Sequence, residues 1–581
     1  TFSPDGKHVA FVRDNNIFVK DLEKGTEIQV TKDGKKNAII NGATDWVYEE
    51  EFAFDKAFFW SAEGSKIAYY RFDETAVPEF SMDVFKGGLY PEQEQFKYPK
   101  AGEANATVGI FVYNLRTNNT AEADIKANDE FYIPRIKWTK DDNLLSVQRM
   151  NRHQNELDFI LVNGNDGASN VIFTEKDAAY VDVSDDLTFL NNGKQFVWTS
   201  EKSGFNHVYL YDLRGKQVRQ ITKGNWDVTS VYGVDVVNNL LYYQSAEESP
   251  LRRSVYVIDL KGRNKRRLSI KEGTNKAYFS KNFSVFINNY SNANSPSEYT
   301  LHLNNGKLAR ELVNNEKLKE TLEGLSISPK EFFTFKTSED VELNGWMIKP
   351  ADFDATKKYP VFMTVYGGPG SQTVTDSWGG SNYFWHEMMA QEGYIVVSVD
   401  NRGTGARGRD FKKITYQELG KYETIDQIEA AKYLGGLDYV DADRIGIQGW
   451  SYGGYMSSLC LTKGAEQFKA AIAVAPVTTW RYYDSIYTER YMRTPQENEA
   501  GYDDNSPINH VDKMEGAYLL VHGSADDNVH YQNTMEMITA LVKANKQFDL
   551  FIYPDNNHGI YFGNSRLHLY TKMTNFLKEN L

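Results

Sequence analysis

The chain has 581 residues, of which 14% are aromatic and only one is a cysteine, and its formal net charge is −14. This length exceeds the size at which one hydrophobic core stops growing, so two domains are expected. The acidic balance argues against a nucleic-acid partner, the lone cysteine excludes an internal disulfide, and no apolar run reaches the about 18 residues of a membrane span.

From Phe2 to about Val313 the chain repeats a unit of one aromatic residue, a polar turn and an alternating β pattern. Short strands with turn signals at such intervals are typical of four-stranded β-propeller blades. Six units are recognisable, and they begin at Phe2, Trp60, Trp138, Phe189, Val236 and Phe279. An irregular insertion lies between about Glu74 and Gly109, and it is either a binding element or simple surface decoration.

From about Glu331 strands alternate with helices, which predicts a doubly wound α/β sheet. The predicted strands are Val361–Val365, Tyr394–Val399, Arg444–Gln448, Ala470–Val474, Ala517–Val521 and Phe548–Tyr553, and the predicted helices are Thr424–Tyr433, Tyr531–Ala544 and Arg566–Lys578. We therefore expect a propeller domain over residues 1–330 and an α/β-hydrolase domain over residues 331–581. A propeller that covers a hydrolase site would admit only short or unfolded peptides.

The segment Gly449-Trp450-Ser451-Tyr452-Gly453-Gly454 joins a predicted strand to a predicted helix. In that context G-x-S-x-G is a nucleophile elbow, a tight turn that exposes a serine above the sheet. The flanking glycines suit a turn with little room for side chains. The pattern predicts that Ser451 is a catalytic nucleophile.

A serine needs a base and an orienting acid, which follow it in the order acid, then histidine, in α/β-hydrolases. Asp526 and His558 each come just after a predicted strand, at the sheet edge where such sites lie. We assign Asp526 to orient the imidazole and His558 to act as the base and then the acid. Asp527 is an alternative acid, and His522 and His530 are alternative bases; His522 precedes the acid and breaks the order. The sequence His386-Glu387 lacks the second histidine of a zinc motif, so neither a metal nor another cofactor is expected.

Three motifs resemble the dipeptidyl peptidase IV group of prolyl oligopeptidase-like enzymes, and the resemblance covers essentially the whole chain. They are the elbow with its downstream histidine segments, the segment from Trp480 to Tyr491, and Asp45-Trp46-Val47-Tyr48-Glu49-Glu50-Glu51-Phe52 in the repeat half. The resemblance implies an eight-bladed propeller followed by an α/β-hydrolase domain. It also implies an exopeptidase that releases N-terminal Xaa-Pro, and less well Xaa-Ala, dipeptides through an acyl-enzyme.

Residue by residue, the resemblance implies that Glu50 and Glu51 bind the free α-ammonium group of the substrate. Two carboxylates in a cleft favour a cation and limit how much peptide precedes the cleaved bond. Matching positions suggest a proline pocket, in which flat aromatic walls suit the rigid ring of proline; its members are Tyr452, Val477, Trp480, Tyr483, Tyr487 and Val529.

By the same resemblance, Asn528 helps to hold the substrate carbonyl before the proline. The Tyr366 hydroxyl joins the Tyr452 backbone N–H as the oxyanion hole. One donor of that kind contributes roughly 2.7–4 kcal/mol to the transition state in a well-studied protease. A structural tyrosine is the alternative for Tyr366.

The chain also departs from the family pattern. An arginine that assists carbonyl binding in the family lies upstream of the first segment and has no counterpart here, and six blades are recognisable where eight are expected. These departures predict a propeller that is incomplete at its N-terminus. The absence of a cysteine-rich propeller favours a bacterial member, in the periplasm or at the cell surface, and the resemblance suggests a homodimer formed through the C-terminal helix and a propeller extension.

Two other functions stay open. A prolyl tripeptidyl peptidase or oligopeptidase of the same fold would share the hydrolase motifs. A non-enzymatic propeller scaffold would need none of Ser451, Asp526 and His558.

Overall fold

The structure is a computed structural model that describes residues 1–127 and 130–581. Within these ranges, no helix combines the length and the apolar character needed to cross a membrane. The propeller and the α/β sheet predicted from the sequence are both present.

The N-terminal half of the described chain forms six antiparallel sheets, of which the last four each have four strands in sequential order. The first sheet has three strands, and the second has five, in the order β10-β9-β6-β4 with β5 paired to β6. The strands of these two sheets are β1 His8–Arg13, β2 Asn16–Asp21, β3 Glu27–Gln29, β4 Ile39–Asn41, β5 Phe58–Trp60, β6 Lys66–Asp73, β9 Thr107–Asn114 and β10 Asn119–Glu122. The strands of the other four are β11 Phe131–Trp138, β12 Leu144–Asn151, β13 Glu156–Asn163, β14 Ser169–Lys176, β15 Thr188–Phe189, β16 Gln195–Ser200, β17 His207–Asp212, β18 Gln217–Gln220, β19 Val228–Asp235, β20 Leu240–Ser245, β21 Ser254–Asp259, β22 Arg266–Arg267, β23 Thr274–Phe279, β24 Val285–Asn292, β25 Ser295–Leu303 and β26 Leu308–Val313.

Each of the six sequence units corresponds to one of the six sheets. The unit boundaries drawn from the sequence fall at the end of the first strand of a sheet, however, and not at its beginning. Trp138, Phe189 and Phe279 end the first strand of their sheets instead of opening the repeat. The polar turn that follows each aromatic residue therefore connects the first strand to the second. The turn residues give a strong sequence signal, whereas the first strand has none of its own, and this explains the shift.

Two elements are inserted between the strands of the second sheet along the chain. Helix α1, Trp46–Phe52, lies between β4 and β5; its N-terminus is capped by Asp45, which accepts from Tyr48 N at 3.0 Å. The predicted insertion contains a two-stranded hairpin, β7 Glu79–Val84 and β8 Glu92–Lys97, whose strands pair only with each other. We call this hairpin and its return segment, residues 98–105, the arm.

The C-terminal half forms one eight-stranded sheet in the order β27-β28-β30-β29-β31-β32-β33-β34, which is parallel from β30 onward. Its strands are β27 Glu331–Lys336, β28 Glu342–Ile348, β29 Tyr359–Val365, β30 Ile395–Asp400, β31 Val440–Trp450, β32 Ala470–Val474, β33 Ala517–Gly523 and β34 Asp549–Tyr553. The helices after α1 are α2 Glu316–Glu323, α3 Gly380–Gln391, α4 Arg409–Lys413, α5 Lys421–Gly435, α6 Tyr452–Lys463, α7 Ser485–Met492, α8 Glu499–Asp504, α9 Gln532–Lys543 and α10 Ser565–Asn580. Helices cover both faces, so β30 and β32 are buried along their whole length.

All six predicted strands and three predicted helices of this half are present within a few residues of their expected bounds. The antiparallel pair β27–β28 and helix α3 lacked a sequence signal. We propose residue 330 as the domain boundary, because the last propeller sheet ends at Val313 and the eight-stranded sheet begins at Glu331.

Candidate active site

Ser451 lies on the turn between β31 and α6, with φ 60° and ψ −118°. A Cβ on Gly449 would lie 2.0 Å from the Gly453 carbonyl oxygen, and one on Gly453 would lie 2.2 Å from the Val365 carbonyl oxygen. Both glycines are therefore required for the turn to close. A non-glycine residue at positive φ stores strain, and such strain is common where a side chain must be held in place for chemistry.

Asp526 and His558 form a hydrogen-bonded pair beside this turn. His558 Nδ1 lies 2.7 Å from Asp526 Oδ2, and the Trp450 indole donates to the His558 carbonyl at 3.0 Å. Because Nδ1 faces the carboxylate, Nε2 is the nitrogen left to act on Ser451. Within the described part of the chain no hydrogen bond joins Ser451 to His558; such bonds are commonly long without substrate and shorten when it binds.

The environment sets the charges of this pair. Burial alone would raise the pKa of Asp526, but the imidazoles of His558 and His522 outweigh it and hold that pKa well below its usual range. Burial alone would lower the pKa of His558, but the charge of Asp526 and their hydrogen bond raise it above 6.5. Asp526 is therefore ionised at neutral pH, and His558 has a strengthened affinity for the proton that it would remove from serine.

The residues considered as alternatives to Asp526 and His558 make other contacts. His522 is fully buried, with its two ring nitrogens 2.7 Å from Thr534 Oγ1 and 2.8 Å from the Val529 carbonyl. His530 is also fully buried, and its ring stacks on Phe80 with the centroids 3.4 Å apart. Asp527 accepts from the Trp46 indole at 3.3 Å. The contacts thus favour Asp526 and His558 as the partners of Ser451.

Tyr366 directly follows β29, and its ring centroid is 5.9 Å from that of Tyr452. Its ring is 39% exposed but lies in the cleft between the domains, where burial by surrounding protein raises its pKa to about 12. The hydroxyl therefore keeps its proton at neutral pH. Tyr452 is the first residue of α6, so its N–H has no acceptor within the helix and is free to face an oxyanion.

Five of the six residues predicted to form a proline pocket belong to the large buried core around the hydrolase sheet, and Tyr487 packs against that core. We call the four aromatic members, Tyr452, Trp480, Tyr483 and Tyr487, the aromatic cluster. Trp480 is the centre, with ring centroids 5.4 Å from Tyr452, 5.8 Å from Tyr483 and 5.6 Å from Tyr487. Val529 and Trp480 are 0% and 1% exposed. Tyr452 and Val477 are enclosed to the same degree, at 2% each, so these four residues form the back of the group, while Tyr483 at 8% and the half-buried Tyr487 are its more accessible members.

Glu50 and Glu51, in the last turn of α1, reach the hydrolase domain from the propeller. Glu50 Oε1 accepts from Asn528 Nδ2 at 2.6 Å, and Asn528 Oδ1 accepts from the Tyr483 hydroxyl at 2.8 Å. Asn528 therefore connects the acidic pair to the aromatic cluster. Burial raises the pKa of Glu51 to about 7; the charge of Arg490 opposes this rise and that of Glu50 adds to it.

Three neighbouring residues were missed by the sequence analysis. Glu423 is fully buried and accepts from the Tyr452 hydroxyl at 2.7 Å, and burial raises its pKa to about 7. Asp484 caps α7 and lies against Glu51; burial and that neighbouring charge raise its pKa well above the usual range. Arg490 lies 3.9 Å from the Glu51 carboxylate. Asp484 and Arg490 fall inside a motif that was singled out for its aromatic residues, whereas Glu423 had no sequence signal.

A cavity of about 1110 Å³ separates the propeller from the hydrolase domain. Tyr491 lines the cavity and packs edge-on against Tyr487 with centroids 4.9 Å apart, so the cavity adjoins the aromatic cluster. Its volume suits a short peptide rather than a folded protein. Across residues 1–127 and 130–581, no group of three or more His, Cys, Asp or Glu side chains could hold a metal ion.

Comparison with known proteins finds a family match for each half of the chain. The family model for the dipeptidyl peptidase IV N-terminal region matches residues 1–297, and the model for the prolyl oligopeptidase family matches residues 382–581. The structure of dipeptidyl peptidase 4 from Porphyromonas gingivalis superposes with a TM-score of 0.97 at 49% identity, over 100% of this chain and 82% of that one.

Curated relatives include proteins named probable dipeptidyl-aminopeptidase B from two fungi. The one from Arthroderma gypseum is 36% identical over 99% of this chain, and the one from Trichophyton verrucosum is 37% identical over 97%. The chain spans 66% of the length of each of these two relatives. The matches to both halves show that the chain belongs to the dipeptidyl peptidase IV group of the prolyl oligopeptidase family.

Proposed function

We propose that the protein is a serine exopeptidase that releases N-terminal Xaa-Pro dipeptides, and Xaa-Ala less well, through an acyl-enzyme. The observation that carries the proposal is the contact of Glu50 with Asn528, two residues after Asp526. Asn528 therefore lies between the acidic pair on one side and both the aromatic cluster and the hydrogen-bonded pair of Asp526 and His558 on the other. An ammonium group bound there leaves room for only a short segment before the cleaved bond.

In the proposed reaction, His558 Nε2 removes the proton of Ser451 as Oγ attacks the carbonyl carbon of the proline residue. The Tyr366 hydroxyl and the Tyr452 N–H donate to the oxyanion that forms. His558 then gives the proton to the leaving amine, the C–N bond breaks and the dipeptide remains as an ester on Ser451. Water, activated by His558, hydrolyses the ester and frees the dipeptide.

Substrate selection rests on two groups of residues. Glu50 and Glu51 would bind the ammonium group, while the second hydrogen of the Asn528 amide would donate to the carbonyl before proline. The aromatic cluster would enclose the proline ring, which loses little conformational entropy on binding. Mass spectrometry of the products from Xaa-Pro and Xaa-Xaa-Pro peptides would separate this function from tripeptide release.

We also propose a homodimer located in the periplasm or at the cell surface of a bacterium. The tip of the arm exposes Leu89 and Tyr90, which are 98% and 83% accessible, and the hydrolase domain exposes Tyr561, Phe562 and Leu567. Apolar side chains grouped in this way favour a protein–protein contact. The Porphyromonas relative supports the bacterial origin.

Replacing Ser451 with Ala should lower kcat by at least about 10⁴-fold, because the acyl-enzyme cannot form. His558→Ala should be about as severe, and the double variant should be no worse, since the two residues act as one unit. His522→Gln is the control, and it should retain more activity than His558→Ala. Steady-state kinetics on Gly-Pro-p-nitroanilide measure all four proteins. The opposite ranking of the two histidines would make His522 the base.

Activity should fall on both sides of neutral pH. On the acid side, kcat/KM should reach half its maximum above pH 6.5, because neutral His558 is required and its pKa is raised. Glu51, whose pKa is about 7, must also ionise to bind ammonium and should steepen this limb. On the alkaline side, activity should fall as the substrate amine loses its proton near pH ~8.

The control for this pH profile is labelling of Ser451 by a fluorophosphonate, which has no amine. Its rate should show the acid limb without the alkaline fall. An acid half-point clearly below pH 6.5 in both assays would contradict the assigned effect of Asp526 on His558.

Tyr487→Ala should raise KM for Xaa-Pro substrates and reduce the preference for proline over bulkier residues. The loss of one aromatic wall removes about 1.5–3 kcal/mol of burial. Tyr483→Phe is the matched variant: it keeps its ring, loses the bond to Asn528 and should keep most of the proline preference. Competition between Gly-Pro and Gly-Leu anilides measures the effect. A Tyr487→Ala enzyme that is less stable but equally selective would assign the ring to core packing.

Glu50→Gln or Glu51→Gln should lower kcat/KM steeply for substrates with a free amine. Removing one partner of a desolvated charge pair costs about 2–5 kcal/mol, or some thirtyfold to several thousandfold. The fluorophosphonate rate should stay near that of the unmodified enzyme, because the triad is intact. N-acetyl-Gly-Pro substrates should be poor for the unmodified enzyme, and equal cleavage of free and acetylated substrates would indicate an endopeptidase.

A further inference from the structure

The tip of the arm is tied to the loop that carries His558. The Asp555 carboxylate accepts from Phe85 N at 2.7 Å and from Lys86 N at 3.1 Å. Asp555 lies between β34 and His558, has φ +58° and donates its own N–H to Ser524 Oγ at 2.9 Å. A carboxylate that accepts two N–H donors in this way makes strong, directional bonds.

The base of the arm holds the loop that carries Asn528. The Tyr98 hydroxyl donates to the Asn528 carbonyl at 2.9 Å, and the Tyr98 ring is 2% exposed. Its ring centroid lies 4.1 Å from that of His530, and His530 also stacks on Phe80. Aromatic packing and one hydrogen bond therefore fix the loop that carries Asn528 against the arm.

The return segment of the arm pairs with the chain around Tyr483. Ala101 N donates to the Tyr483 carbonyl at 3.0 Å, and Ser485 N donates to the Pro99 carbonyl at 2.9 Å. These bonds flank an antiparallel bridge between Lys100 and Asp484. The arm thus contacts three loops of the hydrolase domain, and each carries a residue proposed to act on substrate.

Resting on the proposed function, we infer that the arm positions the catalytic machinery, with Asp555 and Tyr98 as its two positioning residues. Asp555 holds the His558 loop at the distance from Ser451 that proton transfer needs, and so it affects the chemical step. Tyr98 holds Asn528 against Glu50 and Tyr483, and so it affects substrate binding. The insertion is therefore part of the site rather than surface decoration.

The two ends of the arm should give separable effects. Asp555→Asn should lower kcat about tenfold with KM within twofold, because a slack His558 loop impairs proton transfer but leaves the binding residues in place. The rate of fluorophosphonate labelling should fall by the same factor. Asp555→Glu, which keeps the charge and both acceptor atoms, should recover at least part of the loss.

Tyr98→Phe should have the reverse signature. It removes one hydroxyl and no packing, so KM for Gly-Pro-p-nitroanilide should rise about fivefold while the labelling rate stays within twofold of the unmodified enzyme. The control is Ser81→Ala, because the Ser81 side chain is exposed and bonds Gln93 within the arm. This control should leave every measured value within twofold.

Two further measurements make the outcome decisive. The acid half-point of the labelling rate should be the same in Asp555→Asn and the unmodified enzyme; a shift would mean that Asp555 acts by charge and would overturn the positioning role. Sedimentation velocity at the assay concentration should show an unchanged oligomeric state, and a kcat loss explained by dissociation would overturn it as well. If kcat, KM and the labelling rate of Asp555→Asn and Tyr98→Phe all stayed within twofold of the unmodified enzyme, the positioning role would be wrong and the arm would be a surface insertion without an effect on the site. If the unmodified enzyme released no dipeptide, the proposed function would fail, but the labelling rates would still test Asp555.

Discussion

One buried carboxylate organises the hydrolase side of the site. Asp526 is ionised and fully enclosed, and an uncompensated charge in that position would cost several kcal/mol. Three hydrogen bonds compensate it: Oδ2 is 2.7 Å from His558 Nδ1, and Oδ1 accepts from Asn528 N and Val529 N at 3.0 Å each. His522 Nε2, which bonds the Val529 carbonyl, also lies 3.2 Å from Oδ2. Satisfying this charge therefore fixes the His558 ring and the backbone of Asn528 and Val529 together.

The propeller contributes a second fixed point. Helix α1 is anchored from within the propeller, where the Tyr48 hydroxyl accepts from Ile133 N at 3.0 Å and Arg135 donates to the Phe52 carbonyl at 2.7 Å. Its acidic end then contacts Asn528 across the domain interface. The distance from Glu50 and Glu51 to Ser451 is thus set by how the two domains pack, and neither domain alone determines it.

The ease of prediction differed between the parts of the site. Ser451, Asp526 and His558 each follow a strand in a region where strands alternate with helices. Their position at one edge of the sheet was therefore predictable from local sequence. Glu50 and Glu51 have no such local signal, because an acidic helix end is ordinary on a solvated surface, and only the family resemblance singled them out. The fold class and six repeat units were predictable from turn residues, but the first strand of each sheet was not.

Contacts between distant segments were beyond the sequence for a different reason. The bond between Asp555 and the arm joins residues 470 positions apart, and neither partner is unusual by itself. An aspartate after a strand and a glycine-containing hairpin turn are both common, so only packing in three dimensions reveals the contact. The insertion could therefore be located from sequence, while its function could not.

In the proposed function, selection of a free N-terminus would follow from the cost of burying carboxylates. Burial raises the pKa of Glu51 to about 7 and that of Asp484 well above its usual range, so without ligand these neighbours hold protons more readily than exposed acids do. A substrate ammonium group would compensate the ionised form and offset this desolvation. An acetylated N-terminus supplies no charge, so it would add nothing to the compensation that Arg490 gives Glu51 from 3.9 Å. In the proposed function, the burial that makes the free site costly would also make it selective, through Glu51 of the propeller and Asp484 of the hydrolase domain.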